Sequence, residues 1–343
     1  MAPMPTHSAP SFATVIASKL EAAPMLRKPV TVLTGYLGAG KTTLLNRILS
    51  EQHGGRYAVI INEFGEIGID NQIVVGADEE VFEMNNGCIC CTVRGDLIRI
   101  IDGLMKRRDR FDSIIIETTG LADPAPVAQT FFVDEDVRRL VTLDSIVTVA
   151  DIKHFRDQVD NSHEAEEQIA FADTIILNKT DIVAPEDVDD VERRVRAINA
   201  FATIHRTARC AVPLDRVLRR GAFDLDRILR LEPSFLAEDD HEHDQSITSI
   251  SLRLDRPVDG EKFKTWMSRL LMMRGQDILR SKGIIDLANS DRRFVFQGVH
   301  MLMDGAFGRA WMPGEARRSQ LVFIGRDLDG ASLKSAFASC IAS

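Results

Sequence analysis

The first clear pattern along the chain is a short β-rich run at residues 30–34, followed by a glycine-rich loop from Gly35 to Gly40. Residues 42–52 then carry Leu45, Ile48 and Leu49 at helical spacing, so this stretch predicts strand, loop, helix. Continuous apolar runs at 57–61, 113–116, 146–149 and 174–177 predict further strands covered on both faces, as parallel strands are. Helical patterns at 97–105, 164–171 and 188–198 lie between them. Strands that alternate with helices predict an α/β unit with a mainly parallel sheet.

The pattern changes after the charged stretch at 238–244, which reads EDDHEHD. Ile250, Leu252 and Leu254 alternate as in a half-buried strand, and Phe263, Met267, Leu270 and Leu271 suit one face of a helix. Residues 294–299 and 321–324 predict two more strands, with a short helix from Leu333. This is the outline of a small α+β domain of about 100 residues. No internal repeat is visible.

The length of 343 residues agrees with two domains, and 45% hydrophobic with 27% charged residues is ordinary for a globular protein. A net charge of -9 argues against a general nucleic-acid-binding surface. No apolar run approaches the ~20 residues of a membrane span. The first 28 residues hold Pro3, Pro5, Pro10 and Pro24 among small residues and read as a disordered tail. Residues 12–17 are too short and too weakly apolar for a signal-peptide core. A cytoplasmic location is expected.

Residues 35–42 read GYLGAGKT and fit G-x-x-x-x-G-K-[ST]. Glycines let backbone N–H groups curl around phosphates, and the helix that follows offers its positive end. Gly35, Gly38, Ala39 and Gly40 belong to this loop. Lys41 should reach the β- and γ-phosphates and Thr42 should give its hydroxyl to Mg²⁺. The apolar strand of SIIIETTG at 113–120 ends in Glu117. Glu117 is a candidate to act on Mg²⁺ or to position the attacking water, with Gly120 near enough to meet the γ-phosphate through its N–H. Asn178, Lys179 and Asp181 form N-K-x-D after another apolar strand. Guanine presents N1–H and N2–H₂ side by side, and the Asp181 carboxylate can accept both, whereas adenine has no such pair. GTP is therefore the expected nucleotide, with Lys41 and Glu117 as the expected catalytic pair.

Of five cysteines, three crowd into four residues as Cys88, Cys90 and Cys91. That is no disulfide framework. Thiolates favour soft or borderline ions such as Zn²⁺, and three on one loop need a ligand from elsewhere or leave a position open for metal exchange. Unliganded or redox-active thiols are the alternative reading. NEFGE at 62–66 is a loop suited to a carboxylate ligand, to γ-phosphate sensing, or to neither. His241 and His243 fit a solvated linker, and His154, His205 and His300 fit structural roles.

Together these segments resemble the CobW-type GTPases, a P-loop family that includes zinc metallochaperones. The match runs over roughly residues 29–340 through GYLGAGKTTLLN, NEFGE, GCICCTVRGDL, ETTGLADP, NKTD and FQGV. The resemblance implies that residues 38–43, Thr43 included, form the phosphate loop. It also implies that Cys88, Cys90 and Cys91 are the zinc-site motif and that Glu66 is a candidate carboxylate ligand. It divides the chain into a tail at 1–28, a GTPase domain at 29–236, an acidic and histidine-bearing linker at 237–246, and a client-engaging domain at 247–343. Many members carry a long histidine-rich linker where this chain has two histidines, which argues against metal storage but not against transfer.

The implied function is a GTP-hydrolysing zinc metallochaperone that passes metal to a client apo-metalloprotein. Cobalt handling for cobalamin synthesis, activation of a metal-dependent hydratase, a redox-sensing GTP-binding module and a small-molecule kinase are rivals. The sequence leaves the client and the oligomeric state open.

Overall fold

The computed structural model describes residues 27–51, 54–61, 81–83, 92–221 and 247–342. β1 (Lys28–Thr34) leads through the glycine-rich loop into α1 (Lys41–Ser50), whose Leu44, Leu45, Ile48 and Leu49 are buried. β2 (Tyr57–Ile61), β3 (Val81–Glu83), α2 (Thr92–Met105) and β4 (Ser113–Glu117) follow. Next come α3 (Ala125–Val133), α4 (Glu135–Leu140), β5 (Val141–Asp151), α5 (Phe155–Asn161) and α6 (His163–Phe171). β6 (Thr174–Asn178), α7 (Pro185–Ile198) and β7 (Thr203–Arg206) complete the first sheet and its helices.

The strand order is β3-β2-β4-β1-β5-β6-β7, and every pairing described is parallel. All residues of β4 and β6 are buried, because helices cover both faces of such a sheet. A parallel sheet also sends every strand's C-terminal end to one edge, so the loops after β1, β4 and β6 gather there.

β5 runs well beyond the expected 146–149. Its buried Asp144 hid the extension, and the structure satisfies that carboxylate with the backbone N–H groups of Arg220 and Gly221 at 2.9 and 2.7 Å. α3, α4 and α5 were not evident in the sequence pattern. They are six to nine residues long, too short for a helical period to repeat more than about twice.

The second sheet holds β8 (Ile247–Leu254), β9 (Ile278–Ile285), β10 (Arg292–Val299), β11 (Leu302–Ala310) and β12 (Ser319–Arg326). These are joined antiparallel in the order β11-β10-β9-β12-β8. α8 (Gly260–Arg274) and α9 (Gly330–Ala338) cover one face. There Phe294, Phe296, Leu321 and Phe323 pack with Phe263, Met267 and Phe337. The alternate residues Val295, Val322 and Ile324 face the other way and join one hydrophobic cluster with Phe131, Ile169, Phe171 and Ile198 of the first unit. The period of two along each strand thus gives both faces a partner. β9 escaped prediction because Arg280 and Lys282 sit in its middle. Both are pulled in by Asp173, with Lys282 Nζ at 2.8 Å from its carboxylate.

Candidate functional site

The phosphate loop leaves β1 and turns into α1 at Gly40, whose φ is +117°. A Cβ at Gly40 would lie 2.5 Å from Asn178 Nδ2 and 3.2 Å from Cys210 Sγ. Both the conformation and the close packing therefore demand glycine. No side-chain oxygen caps α1 and no acid lies in its first turn, which leaves the first-turn N–H groups and the positive helix end for an anion. Thr42 and Thr43 are exposed at this start, and Ala39 is buried beneath it. Lys41 is buried, and its Nζ donates to the Gly35 carbonyl at 2.7 Å. Burial pulls its pKa below the ordinary lysine value, and the charge of Glu117 opposes that shift.

Glu117 ends β4 and is buried. The backbone N–H of the next residue, Thr118, bonds to the Leu33 carbonyl at 2.9 Å, and its hydroxyl reaches Thr34 at the same distance. This ties the end of β4 to the root of the phosphate loop. Gly120 comes closer still, since a Cβ there would stand 2.7 Å from the Leu37 nitrogen. The structure therefore brings Gly35, Gly38, Gly40, Lys41, Glu117 and Gly120 to one place at the strand ends.

β6 brings the base motif beside them. Asn178 is buried; its Nδ2 donates to the Ala39 carbonyl at 2.9 Å, and its Oδ1 accepts from the Cys210 N–H at 2.8 Å. Lys179 turns the chain with φ +68° and pairs with Asp151 at 2.7 Å. Burial pushes the Asp151 carboxyl up, but the bonds from Lys179 and His154 outweigh it and hold the group below the usual carboxylate range. Asp181 sits exposed on the 3₁₀ turn that follows, Thr180–Ile182. The turn is tied down by the Thr180 N–H, bonded to the Thr207 carbonyl at 3.1 Å, and by the Ile182 N–H, bonded to the Lys179 carbonyl at 3.2 Å.

Several residues of this neighbourhood were missed in the sequence. Thr207, Ala208, Arg209 and Cys210 form a loop with consecutive positive φ at Arg209 and Cys210. It is bonded to Asn178 through Cys210 and to Arg47 of α1 through the Cys210 carbonyl. Cys210 is buried with its Sγ 3.5 Å from the Gly40 carbonyl, and burial pushes its thiol up to about 11, far from a reactive thiolate. No motif marks this loop; only its packing does. Asp151 carried a weak signal as an acid at a strand end. His154, expected to be structural, bonds to Asp151 at 2.8 Å.

The zinc candidates Cys88, Cys90, Cys91 and Glu66, with NEFGE and the linker histidines His241 and His243, lie outside the described residues. Among the described residues no group of three or more His, Cys, Asp or Glu could hold a metal ion. No helix there is long and apolar enough to cross a membrane.

A parallel sheet with a phosphate loop after β1, an acidic end on β4 and N-K-x-D after β6 defines a P-loop nucleotide-binding protein of the GTPase class. The model of the CobW/HypB/UreG nucleotide-binding domain matches residues 29–206, and that of the cobalamin synthesis protein cobW C-terminal domain matches 247–341. The chain belongs to the CobW family. It is 36% identical to zinc chaperone YjiA of Escherichia coli over 314 residues, 90% of this chain and 97% of that protein. It is 33% identical to zinc-regulated GTPase metalloprotein activator 1 of Schizosaccharomyces pombe, across 88% of this chain and 82% of that one. The crystal structure of Zn(II)-bound YjiA GTPase from E. coli superposes with a TM-score of 0.75 at 33% identity, covering 93% of this chain and all of that one.

Proposed function

We propose that this protein is a GTP-hydrolysing zinc metallochaperone that passes Zn²⁺ from Cys88, Cys90, Cys91 and Glu66 to a client apo-metalloprotein. The observation that carries the nucleotide half is Asn178, one side chain that joins the phosphate loop to the base motif. The amides at the start of α1 and Lys41 bind the β- and γ-phosphates, the N–H of Gly120 holds the γ-phosphate, and Asp181 accepts from guanine. Glu117 orients the water that attacks the γ-phosphorus as the bond to the bridging oxygen breaks; the water's proton passes to phosphate or solvent. The Thr42 hydroxyl is a hard oxygen donor exposed at the mouth of the loop and fits Mg²⁺. That ion, when bound, neutralises charge on the β- and γ-phosphates.

Support for the metal half comes from the relatives named as zinc chaperones and from topology. β2 ends at Ile61 and β3 at Glu83, paired in register on the same sheet edge as the phosphate loop. NEFGE begins at the next residue after β2, and Cys91 directly precedes α2. Removal of the γ-phosphate releases contacts at that edge, and a tenfold change in metal affinity takes about 1.4 kcal/mol. The Cys90→Ser, Cys91→Ser double variant should lose tight stoichiometric zinc by competition titration while GTP binding persists. Retained tight zinc would move the site elsewhere. Wild-type zinc affinity should differ between GDP and a non-hydrolysable GTP analogue; equal affinities would refute the coupling.

A further inference from the structure

Gln168 lies on α6, buried to 1% exposure, and belongs to none of the motifs above. Its Nε2 donates to two carbonyls of the loop after β4, Gly120 at 3.2 Å and Ala122 at 3.1 Å. The backbone carbonyl of Gln168 accepts the Thr148 hydroxyl of β5 at 2.7 Å, which holds the helix against the sheet. The loop also closes on itself, with the Ala122 N–H bonded to the Thr119 carbonyl at 3.1 Å.

A trans peptide points its N–H opposite to its C=O. The Thr119 carbonyl is turned into the loop, so the Gly120 N–H is directed out of it. The Gly120 α-carbon meanwhile stands against Leu37 of the phosphate loop. The two amide hydrogens of Gln168 bond to the Gly120 carbonyl inside this turn and to the Ala122 carbonyl at its end. A buried carboxamide that satisfies both is specific to Gln: an alkyl chain donates nothing, and a carboxylate repels both oxygens.

We propose that Gln168 is a positioning residue for GTP hydrolysis, holding the Thr119–Ala122 turn so that the Gly120 N–H is preset for the γ-phosphate. This rests on the reading of Gly120 as a γ-phosphate contact. Preset donors cost no reorganisation as charge develops, and losing one typically costs about 100-fold or more in rate. A donor displaced rather than removed should cost less, on the order of 10- to 100-fold.

The test is single-turnover hydrolysis by the full chain, with affinities for GDP and a non-hydrolysable GTP analogue. Gln168→Met keeps the length and removes the donors. It should slow hydrolysis about 10- to 100-fold and weaken the analogue, with GDP affinity within about threefold. An unchanged rate, or equal weakening of GDP and analogue, would overturn the proposal. Gln168→Glu gives a second reading if the Met variant does not fold. A buried carboxyl has a raised pKa, and once protonated it donates one hydrogen bond. The rate of this variant relative to wild type should therefore rise as pH falls from about 8 to 6, and a flat ratio would overturn the proposal. Gly120→Ala separates the two ideas. If it leaves rate and analogue affinity intact, the γ-phosphate reading fails; if it impairs them while both Gln168 variants behave as wild type, only the role of Gln168 fails.

Discussion

At the scale of single residues, buried side chains that bridge two neighbours hold the site together. Asn178 is the clearest, since it bonds to Ala39 on one side and Cys210 on the other. Asp181 is exposed and is the proposed acceptor for the base. Hydrogen bonds to a charged group are worth about 1.5–3 kcal/mol. Asp181→Asn should therefore weaken GDP about 10- to 100-fold by isothermal titration while leaving the melting temperature nearly unchanged. Undiminished guanine-over-adenine preference would show that another group reads the base. Cys210 will resist thiol reagents in the folded state, because its burial keeps it protonated.

At the scale of elements, the loop between β4 and α3 is held from several sides. It touches the phosphate loop through Gly120, is gripped by Gln168, and starts α3 through Asp123, whose Oδ1 accepts from the Ala125 N–H at 2.8 Å. Burial raises the Asp123 pKa to about 6; the bond from Ala125 opposes this and the nearby charge of Glu167 adds to it. The folded state thus holds this proton more tightly than the unfolded chain does. Its stabilising effect is full at low pH and is lost as pH rises from about 4 through 6. Asp123→Asn keeps the acceptor and cannot ionise. The stability of this variant relative to wild type should climb across that window and level off above it, by on the order of 3 kcal/mol. Urea denaturation at a series of pH values measures this, and a constant difference would show that Asp123 ionises freely in the fold.

At the scale of the whole molecule, the two sheets are bound as one body. The lower face of the second sheet shares a continuous apolar cluster with the helices of the first. Within that seam Asp173 meets Arg280 and Lys282, with Asp173 and Arg280 each only 2% exposed. The same carboxylate accepts from the Ile146 N–H at 2.9 Å. Removing one member of a buried ion pair typically costs about 3–5 kcal/mol, because the remaining charge is left uncompensated. Asp173→Ala should lower the melting temperature markedly by calorimetry, with both sheets still melting in a single transition. Two separated transitions would mean that the seam was held by this cluster alone. α6 spans the same distance in a different way. Its Glu167 pairs with Arg326 of β12 while the adjacent Gln168 holds the phosphate-side turn, so one helix touches both the nucleotide side and the second sheet.

Local order determined what the sequence alone could tell. GYLGAGKT, ETTG and NKTD each place their chemistry within a few residues of a strand end, and continuous apolar runs such as 113–116 and 174–177 show by themselves that a strand is buried on both faces. The nucleotide, its phosphate loop and the α/β class were legible for that reason. What tertiary structure decided was every partnership between residues far apart in the chain. Gln168 is an ordinary helix residue until α6 is laid beside Gly120 and Ala122. Arg280 and Lys282 broke the strand pattern of β9 because a buried charge looks like a surface one until its counter-charge, Asp173, is known. The Thr207–Cys210 loop has no composition of its own to announce it and gains its place only from Asn178 and Arg47. Periodicity reports which face of an element is buried, but not what buries it, and in this protein the second question selects the residues that hold the site in shape.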